Sequence, residues 1–197
     1  MVGDRKGAGM KEKDLRRLSP KKQTGLVIIM TGEGKGKTTA GLGIALRAAG
    51  HDMRVCIVCF MKGIVYSGEI DGIKRLDPNV EFHFTGKGFC MIKGDKYPFN
   101  VHRAHAQKAF TLAEKKISSG AFDIVILDEI NNAVDLKLVD LDQVLALIEQ
   151  KPPPVHIVLT GRNVHPELIR RAHTVTEMRE IKHAYQQGIE PQKGIDF

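Results

Sequence analysis

Three glycines alternate with charged residues in Thr31-Gly32-Glu33-Gly34-Lys35-Gly36-Lys37-Thr38-Thr39. Glycines let backbone N–H groups turn toward one point, and a helix starting there adds partial positive charge. A lysine ammonium then meets phosphate oxygens, and a threonine hydroxyl meets Mg2+. That chemistry is the binding of a nucleoside triphosphate, with Mg-ATP the first choice. It assigns Gly32, Glu33, Gly34, Lys35, Gly36, Lys37, Thr38 and Thr39 to ATP, Lys37 to the phosphates and Thr38 to the metal. The spacing departs from GxxxxGK[ST], because the first glycine of that pattern falls on Thr31 and Gly32 follows one residue late. The competing reading is a glycine turn with an exposed lysine.

Two acidic residues, Asp128 and Glu129, follow the apolar run Ile124–Leu127. A buried strand ending there delivers both carboxylates to one edge of a sheet, where hard oxygen donors suit Mg2+. The alternative is an ordinary acidic helix cap. Arg47, ten residues beyond Lys37, and Arg162, in Thr160-Gly161-Arg162, are candidates to complete a triphosphate clamp, since arginine is the usual bidentate phosphate ligand.

Positioning these groups needs strands whose carboxyl ends meet. The apolar runs predict strands over Leu26–Thr31, Val55–Phe60, Val80–Thr85, Asp123–Leu127, Val155–Thr160 and Thr174–Thr176. Helical spacing predicts helices over Thr38–Ala49, Asn100–Ser118, Leu141–Glu149 and Pro166–Ala172. Met61–Gly72 and Gly86–Pro98 read as loops. The alternation implies an α/β fold, doubly wound, with a mostly parallel sheet of about six strands and helices on both faces, of the P-loop NTPase type. The ligand then sits beyond the carboxyl ends of the strands. Residues 1–24 read as a basic extension, flexible or weakly helical over Met10–Leu18, and residues 25–197 as one domain.

The chain has 197 residues and is 42% hydrophobic, which suits a single domain. No apolar run approaches the roughly 20 residues of a membrane span, and Met1–Lys22 lacks the apolar core of a secretory signal, so the expected compartment is the cytoplasm. Much of the net charge of +7 lies in the basic extension. The absence of interleaved aromatics there makes nucleic acid an unlikely partner. Cys56 and Cys59 have CxxC spacing but lie within a strand, where side chains three apart face opposite ways, so a buried structural role is expected rather than redox or metal chemistry. The eight histidines suggest no metal cluster. His102 and His105 read as surface or packing residues without a carboxylate partner.

Beyond the phosphate loop, four further stretches accompany it in order. They are Phe60-Met61-Lys62-Gly63 with Gly68-Glu69, Val125–Ile130 with Asp128-Glu129, Thr160-Gly161-Arg162 with His165, and a tail of Lys182-His183-Ala184-Tyr185, Gly188 and Gly194–Phe197. Together they resemble the P-loop ATP:cob(I)alamin (corrinoid) adenosyltransferases, including that family's displaced loop glycine. The resemblance implies that a corrinoid Co(I) attacks the ribose 5′-carbon of ATP and that triphosphate leaves. It implies catalytic roles for Lys37, Arg47 and Glu129, metal ligation by Thr38, Asp128 and Glu129, and corrinoid contacts from Gly88, Phe89, Met91 and His183. A homodimer and a flavoprotein reductant are implied on the same ground. The chain departs from the family where Met91 replaces a common tryptophan and where Asn131 and Asn132 replace a threonine and an aromatic. Both departures are expected on the corrinoid side or its edge. The other readings are a different P-loop ATPase or kinase, and a non-catalytic ATP-dependent corrinoid binder. A kinase would need an arginine-rich lid, and no clear one follows the fourth strand.

Overall fold

A computed structural model of the chain describes residues 21–63, 66–88, 90 and 95–197. The expected helix at Met10–Leu18, together with Phe89 and Met91, lies outside the described residues. Six strands, β1 (Val27–Thr31), β2 (Val55–Cys59), β3 (Val80–Phe84), β4 (Ile124–Asp128), β5 (His156–Thr160) and β6 (Thr174–Glu177), form one sheet in the order β3-β2-β4-β5-β1-β6. Every neighbouring pair is parallel. The helices are α1 (Lys37–Ala49), α2 (Glu69–Lys74), α3 (Phe99–Ser118), α4 (Ile130–Asp135), α5 (Leu141–Gln150) and α6 (Pro166–Arg171). None among the described residues is long and apolar enough to cross a membrane.

The central strands β2 and β4 are buried along their whole length, as continuous apolar runs with helices on both faces require. Alternation then assigns side chains to two cores. Cys56, Val58, Val125 and Leu127 pack toward α3–α6. Val55, Ile57, Cys59 and Ile126 pack toward α1 and α2. Cys56 and Cys59 thus occupy opposite cores as unpaired thiols, and burial pushes the Cys56 thiol up to about 12. Redox chemistry through the pair is excluded by this geometry. On α3, Ala106, Ala109, Phe110, Ala113 and Ile117 make a buried stripe at three- and four-residue spacing, and truncating Phe110 to alanine costs roughly 3–5 kcal/mol. Helix α5 opens with a capping box between Asp140 and Gln143, a stop-and-start signal for the chain leaving α4.

Two helices were not expected. α2 falls within a segment read as loop, and α4 follows Glu129 directly. Each has six residues, under two turns, too short for an apolar period to emerge. The reading of His102 is also corrected. It is buried, and its Nε2 lies 2.9 Å from Asp95 Oδ1, a carboxylate seven residues upstream in the segment preceding α3. His105 places Nδ1 3.1 Å from the Thr85 carbonyl.

Candidate active site

The loop from β1 to α1 is shaped by what lies over it. The chain leaving β6 passes across the loop, and Met178 O accepts a 2.7 Å hydrogen bond from Gly34 N. A Cβ on Gly32 would lie 2.4 Å from Met178 O, and one on Gly34 would lie 2.8 Å from Arg179 C. Gly32 and Gly36 also have positive φ, 94° and 112°, where a side chain is strained. Gly32 and Gly34 are therefore required by a neighbouring strand's exit. Because the Gly34 amide is engaged, the free donors begin later in the loop. The first turn of α1 carries no acidic residue and no side-chain cap, so its leading N–H groups lack intrahelical partners and form an anion site. Lys37 Nζ donates to Gly32 O and Gly34 O, both at 2.7 Å. Burial and then Arg162 lower the pKa of this ammonium, against Glu33 and Glu129.

Across from the loop, Asp128 ends β4 and is 1% exposed. Its Oδ1 accepts from Thr38 Oγ1 at 2.9 Å and from Thr160 Oγ1 at 2.7 Å. Lys62 Nζ stands 3.8 Å from Asp128 Oδ2 and 2.8 Å from Glu69 Oε1. Burial opposes the charge on Lys62, but Asp128 and Glu69 lift its pKa overall. Glu129 turns the chain into α4 with a left-handed φ of 64°. Its N–H donates to Thr160 Oγ1 at 2.9 Å, while its Oε2 is buried without a partner. Burial, and then Asp128, push the Glu129 carboxyl up to about 7.

A raised carboxylic acid favours the folded state while protonated. That contribution is complete below the ordinary value of 4.5 and is lost as pH climbs through about 7. Glu129→Gln is therefore expected to match the parent near pH 4.5 and to exceed its stability above pH 7. The difference should reach roughly 3 kcal/mol in urea titrations.

The loop and Glu129 face one cavity of about 720 Å3, lined by residues 33–39 and also by Lys62, Glu69, Arg162 and His183. That volume suits a nucleotide-sized ligand. The tail closes one side, where Asp196 Oδ1 meets Lys35 Nζ at 2.7 Å. Gly32, Arg47, Gly88 and the buried Asp128 do not line this cavity. Arg47 is exposed on α1 and does not line the cavity; ten residues of helix carry it about 15 Å from Lys37. Gly88 follows β3 at the sheet edge, with its amide on Met61 O, and does not line the cavity either.

The model of the family described as ATP:corrinoid adenosyltransferase BtuR/CobO/CobP matches residues 23–197. The chain belongs to this adenosyltransferase family. A corrinoid adenosyltransferase of Pseudomonas aeruginosa is 37% identical over 175 residues, covering 89% of this chain and 85% of that protein. One from Escherichia coli K12 is 34% identical over 190 residues, with 95% and 94% covered. One from a Sinorhizobium species is 39% identical over 177 residues, with 89% and 81% covered. The flagellar accessory protein FlaH of Methanocaldococcus jannaschii shares the fold, with a TM-score of 0.51 at 15% identity over 79% of this chain and 71% of that one. The reaction of this adenosyltransferase is the ATP-dependent transfer of an adenosyl group to corrinoid cobalt.

In this adenosyltransferase the two asparagines after Asp128-Glu129 bond to the turn at Gly161 and Arg162, and Asn132 lines the cavity. Asn132 Oδ1 accepts from Arg162 N at 3.0 Å, and buried Asn131 donates Nδ2 to Gly161 O at 3.3 Å. Gly161 has φ +128°, and a Cβ there would lie 2.4 Å from Asn132 Oδ1. Short amides on α4 thus fasten the turn that presents Arg162, which meets Glu33 Oε2 at 3.0 Å. With side chains 51% and 60% exposed, that pair is weak and yields readily to a phosphate. Sequence reasoning named Thr160, Lys62, Glu69 and Asn132 but gave none of them a role in the triphosphate site. The rule of looking beyond the strand ends pointed within a residue or two of each, but their partners are distant in the chain. Asn132→Ala is expected to raise the KM for ATP and lower kcat/KM about tenfold, the worth of one positioning hydrogen bond. Steady-state kinetics at varied ATP will measure this.

Proposed function

We propose that the chain is a P-loop-type nucleotide binder whose loop grips the triphosphate of ATP as a leaving group. The electron pair of corrinoid Co(I) forms the bond to the ribose 5′-carbon as the C5′–O bond breaks, and that bond's electrons leave with the triphosphate. Cobalt is the nucleophile, so no protein nucleophile or base takes part. Lys35, Lys37 and Arg162 offset the charge gathering on the departing group, and the α1 amides and Thr39 orient it. Arg47, being outside the cavity of a single chain, is left out of the clamp. The observation that carries this reading is the uncapped first turn of α1 facing Glu129 across one cavity, with buried Asp128 accepting from the Thr38 hydroxyl behind it.

Mg2+ fits the donors present. Thr38, Asp128 and Glu129 offer hard oxygens, and Glu129 Oε2 is a buried acceptor without a partner. When bound, the ion supplies further positive charge against the triphosphate. The corrinoid reading extends the resemblance: Gly88, Phe89 and Met91 contact the macrocycle, and His183, a lining residue of the cavity, closes over it. A cytoplasmic homodimer supplied by a flavoprotein reductant is proposed from the family's habit.

The test is anaerobic incubation of protein, Mg-ATP and chemically reduced cobalamin, followed by visible absorption. The Co(I) spectrum is expected to convert to that of the adenosylated corrinoid, with triphosphate as co-product. Release of ADP, or ATP binding without spectral change, contradicts the proposal.

A further inference from the structure

The segment after β6 brings acid to a cavity that must take a polyanion. Glu180 and Asp196 both line it, and carboxylates there repel an incoming triphosphate. Asp196 Oδ1 meets Lys35 Nζ at 2.7 Å, while its Oδ2 accepts from Gln192 N at 2.8 Å. The Gln192 amide and then Lys35 hold the Asp196 carboxyl below its ordinary value, so it is ionised at neutral pH. Residues 192–197 form a closed turn, with Ile195 N and Asp196 N donating to Gln192 O and Gly194 N donating to Phe197 O. Little else holds this turn to the body of the protein. Residues 184–197 are exposed throughout. Among the described residues, the Lys35–Asp196 contact is the one hydrogen bond that joins 190–197 to the rest of the chain. Lys37 and Arg162 also hold partners in the free protein, but those are Gly32, Gly34 and Glu33, all within the loop. The Lys35 pair instead couples the loop to a segment 161 residues away.

We propose that Asp196 is a positioning residue that competes with triphosphate for Lys35. The inference rests on the reading in which the loop holds the triphosphate. In the free protein the carboxylate occupies the ammonium and lays the turn along one side of the cavity. ATP takes Lys35 from it, and the polyanion then repels Asp196 and Glu180, so the turn lifts from that side. After adenosyl transfer the free triphosphate is left on the loop. The tethered carboxylate, present at high effective concentration, returns to Lys35 and speeds its departure. With side chains 43% and 26% exposed, the ion pair is weak, which suits a contact that breaks in every cycle. Its cost is a lower apparent affinity for polyphosphate, set by the fraction of molecules in which Lys35 is free. Asp196 acts through Lys35 and touches no reacting atom.

The test is calorimetric titration of the full chain with inorganic tripolyphosphate in the presence of Mg2+. Asp196→Asn keeps an acceptor for Gln192 N, so the turn persists while its charge is lost. This variant is expected to bind tripolyphosphate about fivefold more tightly than the parent, the upper effect of one exposed ion pair. The KM for ATP and the inhibition constant of tripolyphosphate should fall by the same factor. Loss of a merely structural contact would weaken binding or leave it unchanged. Asp196→Glu restores the carboxylate and should return binding toward the parent's value. In a Lys35→Ala background, Asp196→Asn should change binding by less than about twofold. If parent and Asp196→Asn bind equally, or the variant binds more weakly, the proposal is overturned and the loop reading stands. A tightening that persists in full without Lys35 overturns it too. If neither chain binds tripolyphosphate, the loop reading fails and the inference fails with it.

Discussion

Replacing Lys37 with alanine is expected to lower kcat/KM for ATP by roughly 100- to 1,000-fold, the usual effect of removing one preorganised donor from developing negative charge. In the free protein the ammonium is held by two loop carbonyls, Gly32 O and Gly34 O. Burial and Arg162 both disfavour its charge. A triphosphate entering the cavity relieves that cost and turns the lysine from the loop backbone toward phosphate oxygens. The fold does not depend on it. The lost hydrogen bonds are worth about 1 kcal/mol net, so the circular dichroism spectrum should be unchanged and the melting temperature lowered by only a few degrees. Activity near that of the parent would remove Lys37 from the machinery.

Asp128→Asn is expected to be at least as damaging to turnover, about 100-fold or more on kcat, and unlike Lys37→Ala it should also weaken the fold. Asp128 is nearly fully buried and accepts from two threonine hydroxyls, Thr38 and Thr160, with Lys62 close by. An amide keeps the shape but loses the charge that Lys62 faces and presents one acceptor oxygen instead of two. The stability lost in urea is expected to be about 2 kcal/mol. A titration of activity with Mg2+ separates the two effects, since the variant should need far more metal. Glu129 adds a pH signature. A cation favours its ionised form, so apparent Mg2+ affinity in the parent chain should weaken as pH falls below about 7. An affinity flat across that range would place the ion elsewhere.

The sheet was readable because its strands are unambiguous. Val55–Cys59 and Ile124–Asp128 are apolar on both faces, and only a strand between two helix layers explains such runs. The spacing of Cys56 and Cys59 correctly assigned them to opposite cores. The turn between β1 and α1 was readable from glycine spacing, but the reason for two of its glycines was not. Gly32 and Gly34 answer to Met178 and Arg179, which only the order of strands brings alongside. Arg47 is the converse case. It is near the loop in sequence, yet helical rise carries it out of the cavity. Thr160, Lys62 and Asn132 contact partners 30 to 66 residues away, and no local pattern announces such contacts. The left-handed turn at Glu129, which lets two successive carboxylates serve one site, is likewise invisible in a sequence where glycine is the usual marker of positive φ.

The most direct test of the triphosphate grip is a crystal structure with Mg-ATP or a non-transferable analogue. Phosphate density is expected against the amides at the start of α1, with Lys37 and Arg162 swung onto it from their present carbonyl and carboxylate partners. A metal ion is expected between Thr38 and the Asp128–Glu129 pair. Nucleotide density lodged elsewhere, with Lys37 still on Gly32 and Gly34, would contradict it.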